Sequence, residues 1–331
     1  MKKIKQDIID RLNGSNRVLI TAHKNPDGDS LGSQLALAGY LKSHNISCAM
    51  IDEGEIPGKY QFLPNINLIQ DIDKIIENES SSDDKFDTAV VIECSNLERI
   101  GRVGKLIGDD CHIINIDHHQ DNTPFGSINW KDPSVSAAGE LIFDLIRCAS
   151  APIDSDMATN LYTAILTDTG RFHFSNTNAR CLRVAADLIE LGADPERITE
   201  EVYFNQSRPS LRITGLALSG MQYLNDGRIC LISVDRNMIR EAEVANGDME
   251  GLVNNTLKAK GVIVGAMFTE IDASTTKVSL RSQGDFDVAE IAAIYNGGGH
   301  ANASGCQIAQ PLVQAREVMI KLFKERLDGS V

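Results

Sequence analysis

No two of the seven cysteines (Cys48, Cys94, Cys111, Cys148, Cys181, Cys230, Cys306) form a C-x-x-C pair, and with their odd, scattered placement neither a disulfide framework nor a zinc ribbon is indicated. Reduced thiols and a cytoplasmic location are the expectation. No apolar run approaches the roughly 18 residues of a membrane span, and the charged, helix-patterned residues 1–11 are unlike a secretion signal. An unanchored chain without a membrane partner is expected. Internal repeats are absent, and the one biased tract, residues 79–85, reads as a solvated loop. Positive charge is scarce: 32 Lys and Arg stand against 46 Asp and Glu, a net charge of −14. A field of that sign repels a long polyanion and disfavours processive binding of long duplex nucleic acid. It leaves room for a short phosphorylated substrate, because a bound cation or local basic patch reverses the sign inside its own cleft.

What is present reads as a folded chain of 331 residues with 42% hydrophobic and 24% charged positions, long enough for two domains at roughly one per 150 residues. Short β-branched runs at 18–22, 47–52, 88–92 and 112–116 alternate with helical patterns at 30–43, 137–148 and 157–166. Such alternation predicts an α/β fold with a parallel sheet covered on both faces, its chemistry at the carboxyl ends of the strands. The texture changes after about residue 190. Strand-like runs at 228–234, 261–271 and 277–282 and helices at 288–295 and 311–327 predict a smaller α+β domain. The expected division is a first domain over 1–190, a linker over 191–212 and a second domain over 213–331.

Four elements carry candidate chemistry. His23-Lys24-Asn25-Pro26-Asp27-Gly28-Asp29-Ser30 follows the first strand and opens the first long helix, gathering one imidazole and two carboxylates in one loop; Asp29 or Ser30 as a simple helix cap is the competing reading. Asp117-His118-His119 follows another strand and so falls at the same sheet edge. Glu93 ends the 88–92 strand, and Asp168 ends the 157–166 helix within Thr167-Asp168-Thr169-Gly170. A mixed set of imidazoles and carboxylates suits Mn²⁺ or a similar ion, with ligands enough for two. Two metals about 3.5 to 4 Å apart are the usual device for hydrolysing phosphoesters. In the second domain Gly297-Gly298-Gly299-His300, near Arg281, reads as an anion-binding surface, against the plainer reading of a glycine turn ending a helix. Arg99 and Arg102 fall on a helix expected after Glu93. His173 alternates as a strand residue within Arg171-Phe172-His173-Phe174.

Together, His23-x-x-x-Asp27-x-Asp29, Asp117-His118-His119, Thr167-Asp168-Thr169-Gly170 and Gly297-Gly298-Gly299-His300 resemble, in order and spacing, the DHH phosphoesterase family in its two-domain DHH–DHHA1 form. The resemblance implies an active site in the cleft between the domains. There His23 and Asp27 would hold one divalent metal, Asp29, His118 and Asp168 the other, and Glu93 would bridge them. Mn²⁺ is implied, with Mg²⁺ or Co²⁺ as substitutes. His119 would face the scissile phosphate, Asp117 would orient the imidazoles, and Arg99 would help neutralise the phosphate. Arg281, Gly298, Gly299 and His300 would grip the terminal nucleotide. The implied activity is hydrolysis of short oligoribonucleotides to mononucleotides and dephosphorylation of 3′-phosphoadenosine 5′-phosphate, with a homodimer compatible. A cyclic dinucleotide phosphodiesterase, for which no preceding sensor or membrane segment is seen, and a polyphosphate hydrolase are the alternatives. The family usually has aspartate where Glu93 stands; the extra methylene lengthens the side chain by roughly 1.5 Å. That departure raises a further alternative, a nucleotide-binding regulator with weakened catalysis.

Overall fold

Runs such as Val18-Leu19-Ile20 and Ala89-Val90-Val91-Ile92 are apolar at every position, a pattern suited to a strand buried on both faces. In the computed structural model, which describes residues 2–77, 86–120, 122–245, 249 and 251–328, both runs lie inside a six-stranded sheet. The polar tract at 79–85 lies outside the described residues. The chain divides into two units, Met1–Asn205 and Gln206–Val331.

In the first unit, β1 (Arg17–Thr21), β2 (Ser47–Asp52), β3 (Ile69–Asp71), β4 (Thr88–Ile92), β5 (His112–Asp117) and β6 (Ile128–Lys131) are all parallel, in the order β3-β2-β1-β4-β5-β6. The order reverses direction between β1 and β4, which makes that junction the switch point of a doubly wound sheet. Its helices are α1 (Lys2–Asn13), α2 (Gly28–Ser43), α3 (Ile72–Glu77), α4 (Ala138–Cys148), α5 (Ser155–Asp168) and α6 (Ala179–Glu190). Val18, Ile20, Val90, Ile92, Ile114 and Ile116 enter the large core that α1, α2, α4, α5 and α6 cover. Leu19 and Ala89, on the opposite face, pack with Ile51, Ile72 of α3 and Val103. β3 and β6 escape the sequence reading, since three or four residues are too few to display a period.

Residues 191–212 hold α7 (Pro195–Thr199), a π-helical turn (Glu200–Phe204) and the start of α8 (Arg208–Ser219). In the second unit β7 (Gln222–Leu224), β8 (Ile229–Val234), β9 (Val264–Asp272), β10 (Thr275–Ser282), β11 (Gly298–His300) and β12 (Ala303–Ile308) form a mixed sheet in the order β11-β12-β10-β9-β8-β7. Among the described residues of this unit, only β8 and β9 pair in parallel. One face carries Ile229, Leu231, Ala266 and Phe268 against Met319 and Phe323 of a long helix (Leu312–Asp328); the other carries Ile232, Val234 and Met267 against Ile213 and Ala217 of α8. No described helix is long and apolar enough to cross a membrane.

Three local expectations are corrected. Residues 171–174 are a turn, because Gly170, Arg171 and Phe172 take left-handed φ values of 54°, 63° and 59° that close the chain back on Thr169. Alternating side-chain types mimic a strand there, but the amides of His173 and Phe174 bond the Thr169 carbonyl rather than a neighbouring strand. After Glu93 the chain forms 3-10 turns over Leu97–Leu106, kinked at Gly101, instead of an α-helix. The glycine run is more than a turn ending a helix: the Gly297 amide bonds the Ala292 carbonyl, and Gly298–His300 continues as the edge strand β11.

Candidate active site

Three central strands deliver the cluster. β1 ends before His23, β4 ends before Glu93 and β5 ends at Asp117, and the three strands are neighbours in the sheet. Asp27 caps α2: its carboxylate accepts the Ser30 amide while the Ser30 hydroxyl accepts the Asp27 amide. The capping role therefore falls to Asp27, and Asp29 does different work. Its Oδ2 accepts the Ala138 amide at 2.6 Å and its Oδ1 the Gly139 amide at 2.9 Å, so the buried carboxylate is seated on the N-terminus of α4. Gly28 makes the approach of α2 to α5 feasible, since a Cβ there would stand 2.4 Å from the Thr167 hydroxyl oxygen.

The result, among the described residues, is three overlapping ligand groups: His23, Asp27 and Glu93; Asp29, Glu93, His118 and Asp168; and Glu93, His118 and His119. Glu93 belongs to all three. His23 Nε2 lies 3.6 Å from a Glu93 oxygen and 3.9 Å from an Asp27 oxygen, and His118 Nε2 lies 3.7 Å from both Asp29 and Asp168. The Lys24 carbonyl, which can only accept, receives a hydrogen bond from His23 Nδ1–H, which leaves the Nε2 lone pair for the cluster. Glu93 Oε2 and His118 Nε2 are buried without a hydrogen-bond partner in the cluster. Unpaired buried polar atoms of this kind are what a bound cation satisfies, so the donor set fits divalent metal ions.

The electrostatics agree. Burial, followed by the charges of Asp27, Asp29 and Asp168, pushes the Glu93 carboxyl well above its ordinary value. Burial and the neighbouring carboxylates also raise Asp29 to about 7 and Asp168 to about 9. Burial, then His119, lowers His118 to about 4, which keeps it neutral and able to ligate at physiological pH. Asp117 goes the other way. Its burial opposes ionisation, but the His119 hydrogen bond and charge and the Asn122 amide outweigh it and hold the carboxyl at about 2.

Asp117 belongs to none of those ligand groups and is bonded to His119 Nδ1 at 2.8 Å. Arg99 is half-buried in the turn after Glu93, and its carbonyl accepts the Lys24 amide, which places it beside the His23 loop. The second unit gathers the remaining candidates by register: Arg281 pairs with Ala303, and Ala303 with His300. Arg281 Nε donates to Asn254 at 2.9 Å. A Cβ on Gly299 would meet the Ala303 carbonyl at 2.5 Å, so that position of β11 admits glycine alone.

Sequence reasoning missed three supporting residues. Asn122 Nδ2 donates to Asp117 Oδ2 at 2.5 Å and to Asn115, and Asn176 Nδ2 donates to Asp168 Oδ2 at 3.3 Å. Buried Asp52 ties β1 to α2 by accepting the Ala22 amide and the Gln34 side chain. Only the closeness of Asn122 to Asp117 in the chain offered a signal.

This architecture, a doubly wound unit with a His and carboxylate cluster at its switch point followed by a mixed-sheet unit, is matched on both sides by known domains. Residues 17–165 match the N-terminal domain of the DHH family and residues 228–329 the DHHA1 domain; the chain belongs to the DHH family. It is similar to the bifunctional oligoribonuclease and PAP phosphatase NrnA of Thermus thermophilus, at 31% identity over 94% of this chain and 90% of that protein. The protein of the same name from Bacillus subtilis is 25% identical over 92% of this chain and 93% of its own. Among solved structures, an exopolyphosphatase-related protein from Bacteroides fragilis superposes with a TM-score of 0.92 and 29% identity, covering 98% of this chain and 97% of that one.

Proposed function

We propose that this chain is a divalent-metal-dependent phosphoesterase that hydrolyses short oligoribonucleotides to mononucleotides and removes a phosphate from 3′-phosphoadenosine 5′-phosphate. The observation that carries the reading is the sharing of Glu93 by all three ligand groups at the sheet's switch point. That sharing supports two cation positions, His23 and Asp27 on one side and Asp29, His118 and Asp168 on the other. Both named NrnA relatives match along nearly the whole chain, which supports the substrate class.

When bound, two such cations supply a nucleophilic water at neutral pH and neutralise charge on the phosphoryl oxygens. The residues do the rest. Asp117 holds His119 in the tautomer whose Nε2 accepts a proton, and Arg99 contributes positive charge beside the His23 loop. The α4 amides and Asn176 keep Asp29 and Asp168 in place, so no reorganisation is needed when charge builds up. Arg281, Gly298, Gly299 and His300 hold the terminal nucleotide, the edge strand β11 offering backbone amides to a phosphate. The mixed nitrogen and oxygen donors favour Mn²⁺. Seven unpaired cysteines fit a cytoplasmic location.

The test is mononucleotide release from an RNA dinucleotide and from a longer RNA, beside phosphate release from 3′-phosphoadenosine 5′-phosphate, each with Mn²⁺ and with chelator. Metal-dependent turnover of the dinucleotide and the bisphosphate, with little attack on the longer RNA, is expected. Cyclic dinucleotides and polyphosphate run in parallel; faster turnover of either would replace the substrate assignment. Binding without turnover would point to a regulator.

A further inference from the structure

The turn that follows Asp168 has features that metal binding does not require. Gly170, Arg171 and Phe172 are left-handed in succession, and two of the three carry side chains that disfavour that region. Such strain persists only where surrounding bonds over-determine it, and here they do. The Arg171 amide bonds the Leu166 carbonyl, the Phe172 amide the Thr169 hydroxyl, and the His173 and Phe174 amides the Thr169 carbonyl. Asn176 ties the far end of the turn to both the carbonyl and the carboxylate of Asp168.

What this rigid turn displays is aromatic. Phe174 is 56% exposed, yet its ring tip leans on Gly170, where a Cβ would come within 2.5 Å. His173 and Arg171 are exposed beside it, and the Arg171 guanidinium lies over the Tyr203 ring at 4.6 Å. A single exposed phenylalanine is ordinary on a protein surface. An exposed phenylalanine on a strained turn that Asn176 ties to Asp168, a carboxylate of the ligand cluster, is a preformed aromatic surface close in the chain to that cluster. Aromatic faces bind nucleobases by stacking, with little preference among bases, which suits an enzyme acting on short strands of any sequence.

We infer that Phe174, presented by the 170–176 turn, is a stacking platform for the nucleobase attached to the scissile phosphate. The inference rests on the nucleotide substrate class proposed above. Stacking requires an aromatic face, so size and apolarity alone do not replace it.

Two measurements test it. In steady-state hydrolysis of an RNA dinucleotide, Phe174→Ala and Phe174→Leu are expected to raise KM about tenfold, more than they lower kcat, while Phe174→Tyr stays near the parent. The ratio of dinucleotide to base-free ribose-phosphate ester turnover should fall in step. Separately, Phe174→Trp adds an exposed indole to a chain whose single tryptophan, Trp130, is 2% exposed. Its emission should be quenched by the dinucleotide in chelator, where nothing is cleaved, and not by ribose 5-phosphate. An unchanged KM in Phe174→Leu, or equal quenching by both ligands, overturns the platform. If the parent enzyme turns over the dinucleotide and the variants match it, only this inference falls. If the parent acts on no nucleotide, the substrate class falls and takes the platform with it.

Discussion

Nδ1 of His119 donates to Oδ1 of Asp117 across 2.8 Å, while Asp117 Oδ2 accepts the Asn122 amide at 2.5 Å. Both oxygens of a fully buried carboxylate are thus committed to donors. One bond sets the His119 tautomer and the other prevents the carboxylate from turning away.

Asp117→Asn has the same shape but must aim an NH₂ at one of those two donors. Either the His119 tautomer or the Asn122 bond is lost. Turnover is expected to fall about 10- to 100-fold with a smaller change in KM; equal kcat in parent and variant would refute the orienting role.

Gly28→Ala would place a methyl 2.4 Å from the Thr167 hydroxyl oxygen and force α2 away from α5. A loss of about 1 to 3 kcal/mol in stability is expected, with lower activity because Asp27 and Asp29 move away from Asp168. Adding Thr167→Ala should restore part of both in a double-mutant cycle. Strictly additive losses would show that the contact is not the cause.

Stability should depend on pH in an unusual direction. Unfolded carboxyls ionise near about 3.9, but in the fold Asp29 and Asp168 hold their protons to about 7 and about 9. Between those limits the folded state binds more protons, so the metal-free protein loses stability as pH rises from about 4 towards about 9. Bound divalent cations replace those protons and remove the slope. Melting temperatures in chelator are expected to fall between about pH 5 and 9 and to hold steady with Mn²⁺ present; a flat profile in chelator would contradict the assigned shifts.

Glu93→Asp separates reach from backbone strain. Glu93 sits at a φ of 57°, a left-handed conformation that aspartate tolerates better than glutamate. The shorter carboxylate withdraws by about one C–C bond, roughly 1.5 Å. Calorimetric Mn²⁺ affinity and turnover are therefore expected to drop about tenfold or more while the melting temperature in chelator holds or rises. A gain in activity would instead mark Glu93 as a residue that weakens catalysis.

The hydrophobic pattern of residues 18–22, 47–52, 88–92 and 112–116 was enough to place β1, β2, β4 and β5 to within a residue at their ends, because period and burial are local properties of a strand. The grouping of His23, Asp27 and Asp29, and of Asp117, His118 and His119, was likewise legible, since each set falls within one short loop. His173 was misread because alternating side-chain types say nothing about φ, and three left-handed residues turn the chain there.

The sequence by itself thus determined which residue types stand ready at strand ends, and with them the chemistry available. Tertiary structure decided which ends meet: β1 beside β4 beside β5 brings Glu93 between His23 and His118, although some 70 residues separate the first two. It also decided that Asp29 rests on the Ala138 and Gly139 amides, 109 and 110 residues away. The physical reason is that lateral strand order and helix-end hydrogen bonds are made by backbone groups common to every residue, which leave no mark in the side-chain pattern.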